Sequence, residues 1–195
     1  MEQQEILEIF EKTQALLEGH FLLSSGLHSP QYFQCAKVLQ YPQYAEEIAE
    51  DIAEQYAAKD VDVVVSPALG GMIIGHEVAR ALKTRFIFTE RDPQTDQMTL
   101  RRGFELEEGE KALIVEDVLT TGGSVREVLK LLQQEGVQAV GVAFIVDRSG
   151  NRAKFGIPKY SVLEIPLVVY EPEECPLCKK GVALVKPGSR KKKLL

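Results

Sequence analysis

The chain is predicted to be an α/β protein built on a parallel sheet flanked by helices, preceded by small N-terminal elements. Two observations carry this expectation. From residue 61 onward, short apolar or β-branched runs at 61–66, 85–89, 111–116 and 139–146 alternate with stretches of helical period, the order that winds a parallel sheet through right-handed crossovers. Within that series, residues 111–125, KALIVEDVLTTGGSV, lead a buried strand through a glycine turn straight into a helix. In such sheets ligands bind beyond the carboxyl ends of the strands, where the winding direction reverses.

A first helix is expected over residues 2–17, where Ile6, Ile9, Phe10, Leu16 and Leu17 recur at roughly helical spacing before Gly19. Residues 20–40 alternate poorly and hold a Ser-Ser-Gly turn followed by the aromatic pair Tyr32 and Phe33. Pro42 opens a second helix at the first-turn position that suits its fixed φ, with Ala45, Ile48, Ala49, Ile52, Ala53 and Tyr56 along one face. After the strand at 61–66, residues 67–71 form a loop and 72–82 a helix with Ile73, Ile74, Val78 and Leu82 inward. Residues 90–110 are too long for a plain crossover. Their middle, 98–102, alternates enough to be one arm of a hairpin, and the segment is read as a lid. The helix after the glycine turn buries Val125, Val128, Leu129 and Leu132, and Ser124 with Glu127 fits a capping box at its start. A turn at 149–151, an edge strand at 160–165 and a tail follow. The expected division of this single domain is 1–40 for the N-terminal elements, 41–170 for the core and 171–195 for the tail.

Composition narrows the function. With 45% hydrophobic and 27% charged residues, the 195-residue chain is ordinary for a globular protein that buries a sizeable core. A net charge of −6 argues against nucleic acid or an anionic membrane as the main partner. No apolar run is long enough to span a membrane, the first ten residues lack a signal-peptide pattern, and three cysteines make no disulfide framework, so a cytoplasmic setting is expected.

The glycine turn carries the chemistry. A strand, a turn and a helix in that order aim backbone N–H groups and a positive helix end at one point, which suits a phosphate. Two carboxylates at the same rim, Glu116 and Asp117, would repel a bare phosphate. They make sense if the ligand also offers hydroxyls, or a Mg²⁺ to share. A ribose 5-phosphate has both parts. No Walker A lysine follows the turn, and no G-x-G-x-x-G is present. The loops after residues 66, 117 and 146 would gather Gly70, Gly71, Thr120 to Ser124, Asp147 and Arg148 around one cavity.

Residues 115–125 resemble the phosphoribosyl pyrophosphate (PRPP) signature of the type I phosphoribosyltransferases. Ser25, Gly26, Ser29, Pro30, Tyr32 and Phe33 resemble the N-terminal hood of the orotate branch of that family, and Val146-Asp147-Arg148 agrees with it. The resemblance covers about the first 170 residues. It implies a type I phosphoribosyltransferase-like core with a small N-terminal hood, and transfer of the phosphoribosyl group of PRPP to orotate, giving orotidine 5′-monophosphate and pyrophosphate in pyrimidine biosynthesis. It further implies that Glu116 and Asp117 take the ribose hydroxyls, with Asp117 counted as catalytic. Thr120, Thr121, Gly122, Gly123 and Ser124 would wrap the 5-phosphate, and Val118 and Leu119 would belong to the same PRPP-binding stretch. Thr120 and Arg148 would meet orotate, Tyr32 or Phe33 would stack on its ring, and Gly70 and Gly71 would cradle pyrophosphate. Mg²⁺ is implied as a cofactor carried mainly by the substrate, with no protein-held metal, and a homodimer sharing its lids is expected.

The chain departs from the commonest pattern of the family. Residues 84–110 contain no lysine, so Arg101 or Arg102 is expected to take the lid's catalytic place, with Arg91 a further candidate for pyrophosphate. Ser24 stands where many relatives carry lysine, and the 68–71 loop holds no basic residue. The alternatives are a purine (adenine or xanthine) phosphoribosyltransferase and a non-catalytic PRPP-binding regulator. A DNA-reading regulator should be basic at its start, whereas residues 1–60 hold three Lys or Arg against eleven Asp or Glu. Cys175 and Cys178 have zinc or redox spacing, but with no second pair nearby in sequence they read as reduced surface thiols. His28 reads as a polar surface histidine, and the basic run 190–193 as a solvated tail.

Overall fold

The structure is a computed structural model that describes residues 1–23, 25–166 and 168–187. Ser24 and the basic run at 190–193 lie outside the described residues.

Helix α1 (Gln3–Lys12) stops earlier than its apolar spacing suggests. Thr13 Oγ1 donates back to the Ile9 carbonyl at 2.7 Å, Gln14 adopts a positive φ of 53°, and the Ala15 N–H donates to the Phe10 carbonyl at 2.8 Å. That is a helix-ending turn. Leu16 and Leu17 therefore belong to β1 (Leu16–Leu22), which pairs antiparallel with β2 (His28–Phe33) to make the hood. A short α2 (Ala36–Leu39) leads into α3 (Pro42–Tyr56), with Pro42 in its first turn as predicted.

The core follows as β3 (Val63–Pro67), α4 (Gly71–Leu82), β4 (Arg85–Arg91), β5 (Met98–Leu100), β6 (Lys111–Leu119), α5 (Gly123–Gln134), β7 (Gln138–Asp147) and β8 (Lys159–Glu164). The sheet order is β5-β4-β3-β6-β7-β8, parallel except for β5. The antiparallel β4–β5 pair is the hairpin expected of the lid. Beyond the sheet, a single-turn helix α6 (Pro176–Lys179) sits in a tail that returns to the hood, where Tyr170 bridges to His28 and Val185 to Phe21.

Period-two alternation splits the sheet's side chains between two cores. Val64, Leu113, Val115, Ala143 and Ile145 face α1, α3 and α4, while Val63, Val65, Ile87, Ala112, Ile114, Val142 and Phe144 face α5. Ile73 departs from the predicted pattern. It is 50% exposed, because α4 turns only Ile74, Gly75, Val78 and Ala79 with Gly71 toward the sheet. Among the described residues, no helix is long and apolar enough to cross a membrane.

The topology fixes where a ligand can sit. From β3 the chain moves outward to β4 and then crosses back to β6, so the winding reverses between β3 and β6. These two strands pair over only three residues, Val63, Val64 and Val65 opposite Ala112, Leu113 and Ile114. β6 then leaves β3 and runs beside β7 alone, ending with Leu119 opposite Asp147. The strand thus runs to Leu119 instead of the predicted 116, so Asp117 lies within it, and Glu116 and Asp117 come after the three residues that pair with β3.

Candidate active site

The first turn of α4 and the loop before it enter the split between β3 and β6. Two glycines make this possible. A Cβ on Gly71 would meet the Val115 carbonyl oxygen at 2.8 Å, and one on Gly70 would meet Asp117 Oδ1 at 2.6 Å. The missing side chains allow the 68–71 backbone to approach both the strand and the Asp117 carboxylate. The loop carries no basic side chain.

Asp117 accepts from the Val118 N–H at 2.9 Å, and burial drives its carboxyl above the ordinary range against that hydrogen bond. Burial, and next to it the negative charge of Asp117, raise both the Tyr32 hydroxyl and the Cys35 thiol, while Arg148 opposes both shifts. Tyr32, Cys35, Asp117 and Arg148 thus lie near enough to act on one another's charge.

The turn after β6 is built as its sequence suggests, with one shift. Gly122 has a φ of 77°, a conformation that favours glycine, and holds the cap position, so the helix begins at Gly123. Ser124 therefore falls in the first turn rather than at the cap. Glu127 does not close the expected box; it takes Arg91 in two 2.9 Å bonds. Arg126, not singled out from the sequence, donates to the Thr121 carbonyl at 2.6 Å and lies over the Phe155 ring, steadying the turn from behind.

Arg148 follows directly on β7. Its N–H donates to the Leu119 carbonyl at 2.8 Å, which sets Arg148 beside Thr120 at adjoining strand ends. The side chain is 2% exposed, donates to the Gln31 carbonyl at 3.0 Å and spreads over Phe33 at 5.0 Å. Its buried Nε has no partner among the described residues, and burial lowers its pKa to about 10. Its neighbour Asp147 is pushed up by burial but held below the usual carboxylate range by Lys159 and Ser149.

Phe33 cannot stack on a base. It is buried, packs edge-on against Phe10 at 5.4 Å, and has Arg148 over its ring. Tyr32, half-buried and tilted against Phe21, keeps the more open position.

The lid arginines are separated in role. Arg91 is committed to Glu127 and the Asp96 carbonyl, so it ties the hairpin to α5 instead of offering itself to a pyrophosphate. Arg102 forms two bonds to Glu90 and lies over Phe88, whereas Arg101 makes no ion pair among the described residues.

A second cluster was missed by the sequence reading. His20 and His28 are both buried and meet Cys175, itself 0% exposed, and Cys178. This corrects the expectation of a surface histidine at His28 and of a surface thiol at Cys175, whereas Cys178 is exposed as expected. The signal was hidden because the two pairs lie about 150 residues apart in sequence.

The phosphoribosyl transferase domain family matches residues 37–177, which contain the split sheet and the glycine turn. The fold and the crevice are thus those of a phosphoribosyltransferase. Over nearly the whole chain, the sequence is 52% identical to the orotate phosphoribosyltransferase of Caldanaerobacter subterraneus subsp. tengcongensis, covering 98% of this chain and 100% of that one. It is 54% identical to the orotate phosphoribosyltransferase of Caldicellulosiruptor bescii, covering 95% and 97%. Among solved structures, the orotate phosphoribosyltransferase of Aeropyrum pernix superposes with a TM-score of 0.68 at 24% identity, over 82% of this chain and 93% of that one. The chain belongs to the orotate phosphoribosyltransferase family.

Proposed function

We propose that this protein transfers the phosphoribosyl group of PRPP to N1 of orotate, releasing pyrophosphate and forming orotidine 5′-monophosphate. The observation that carries the reading is the β3–β6 split, which sets the Gly70 backbone against the Asp117 carboxylate beside a phosphate-type turn. The buried, under-bonded Arg148 next to Thr120 supports an anionic base over adenine. A purine base and a non-catalytic regulator are not favoured, since the near-full-length relatives are named for orotate.

In this reading the N–H groups of the turn and first turn of α5 hold the 5-phosphate, helped by the hydroxyls of Thr120, Thr121 and Ser124. Glu116 and Asp117 accept from the ribose hydroxyls and face the positive charge that grows on the ribosyl carbon as the bond to pyrophosphate breaks. Gly70 and Gly71 offer main chain to the pyrophosphate. Arg148 and Thr120 orient orotate, and Tyr32 covers its flat face. The family's Mg²⁺ fits here, because the nearest donors are hard carboxylate oxygens and the cradle at Gly70 is one that a Cβ would fill. The ion, carried mainly by PRPP, would sit by Glu116 and Asp117 and neutralise charge on the leaving group. Two chains would pair as a homodimer. The exposed Leu69 and Ile73 at the start of α4 supply apolar surface for it, and β5 at the sheet edge leaves the lid free to reach a neighbour.

Mixing protein, Mg²⁺, PRPP and orotate and following the orotate absorbance tests the reading. Steady loss of absorbance supports it; a flat trace with brisk conversion of adenine contradicts it. In the same assay the double variant Arg101→Ala, Arg102→Ala is expected to lose about 10²- to 10³-fold in kcat, the scale of removing one charge-stabilising group. PRPP affinity should change far less, and normal turnover would remove the lid arginines from the mechanism.

A further inference from the structure

The cluster of His20, His28, Cys175 and Cys178 has no part in the reaction above. Three of the four residues, His20, His28 and Cys178, lie outside the stretch that matches the phosphoribosyl transferase domain. We propose that these residues form a structural zinc site that staples the tail to the hood.

The donor set and its spacing argue for it. One ligand atom from each residue falls within 4.8 Å of all the others. A tetrahedral ion with Zn–S near 2.3 Å and Zn–N near 2.0–2.1 Å separates its ligands by about 3.3 Å between nitrogens and about 3.6 Å between nitrogen and sulfur. The cluster shows Cys175 Sγ at 3.5 Å and Cys178 Sγ at 3.7 Å from His20 Nε2, and Cys178 Sγ at 3.3 Å from His28 Nδ1. The His20 Nε2–His28 Nδ1 edge, at 2.9 Å, opens by about 0.4 Å to take the ion. Two thiolates and two imidazoles suit zinc and not Mg²⁺, which keeps to oxygen.

The surroundings prepare His20 for this role. Its Nδ1 lies 2.8 Å from the Val182 carbonyl, which can only accept, so Nδ1 carries the proton and Nε2 turns a lone pair inward. A ring nitrogen held by a backbone carbonyl is the usual outer partner of a metal-bound histidine. Cys175 caps α6 and Cys178 lies within its single turn, with the Lys179 N–H donating to the Cys175 carbonyl and the Gly181 N–H to the Cys178 carbonyl.

The described part of the tail buries little apolar surface. Of residues 171–187 only Cys175 is buried, while Val182, Leu184 and Val185 are exposed. Ordering such a segment costs conformational entropy with almost no apolar burial to offset it. Hydrogen bonds to the hood at Tyr170 and Val185 mark where the segment docks. An ion that binds only when hood and tail meet would supply the missing free energy.

The test uses the full chain, stripped with chelator under reducing conditions and titrated with zinc and, separately, with cobalt. The proposal expects one tightly held metal per chain, a cobalt spectrum with thiolate charge-transfer bands and the intense visible bands of tetrahedral geometry, and a rise in Tm on zinc addition. Hydrogen exchange should slow in β1, β2 and residues 170–187 when zinc binds. Cys178→Ser and His28→Ala should each lose stoichiometric metal and the zinc-dependent rise. If the wild-type chain takes up no metal, or gives a cobalt spectrum without thiolate bands, or if both variants bind as the wild type does, the site is not a zinc site. Because the wild-type titration decides by itself, a variant that fails to fold does not rescue the proposal.

Discussion

Asp117→Asn is expected to lower kcat/KM for orotate by about 10²- to 10³-fold while making the free protein more stable to heat. Both halves come from one fact. The half-buried carboxyl lies against Gly70, and desolvation there raises its pKa above the unfolded value. A carboxyl shifted upward binds more protons folded than unfolded between those two values. Its stability contribution is therefore fully present below the unfolded pKa and is lost as pH rises through the folded one. At neutral pH the carboxylate is a standing cost that serves the ribosyl transition state. Asparagine keeps the bond from the Val118 N–H through its carbonyl oxygen and removes the charge. Thermal melts of both proteins at pH 7 should show the variant higher, with the gap closing as the pH falls through the raised folded value and closed below the unfolded carboxylate value of about 3.9. A variant both active and less stable would mean that Asp117 is only a strand-end acid.

Arg148→Lys should raise the KM for orotate about 10- to 100-fold, the worth of a charged hydrogen bond, and leave PRPP affinity near that of the wild type. The guanidinium is held flat between the Gln31 carbonyl and the Phe33 ring, with Nε unpaired. A lysine keeps the charge but has neither the fork nor the planar face. The burial that lowers the Arg148 pKa to about 10 still leaves it charged at neutral pH, so an anionic partner would relieve a buried cation. Orotate should accordingly raise the Tm of the wild type more than that of the variant. Equal KM values would shift the base-recognising role from Arg148 to the hood.

The sheet was legible because the core strands are short apolar runs that alternate with stretches of helical period, and the phosphate turn because strand, acids, glycines and helix follow one another within fifteen residues. Boundaries were harder where a side chain competes with the backbone. Thr13 ends α1 while the apolar spacing continues, so Leu16 and Leu17 were assigned to a helix and fold as a strand. Glu127 has the spacing of a capping box, yet a bidentate arginine outcompetes a single backbone N–H. Tyr32 and Phe33 alternate across β2, so only one can face the crevice, but which one depends on Phe10 and Arg148, far off in sequence. The same distance hid the His–Cys cluster. Its halves are joined only by tertiary contact between the hood and the tail.

The central claim is that PRPP occupies the split between β3 and β6, against the Gly70 backbone. Calorimetric titration of PRPP with Mg²⁺ into the wild type and into Gly70→Ala tests it most directly, since the added methyl would lie 2.6 Å from Asp117 Oδ1. The account predicts saturable binding of one PRPP per chain in the wild type and a much weaker or absent signal in a variant that remains folded. Equal affinity in the two proteins, or no binding to the wild type, would contradict it.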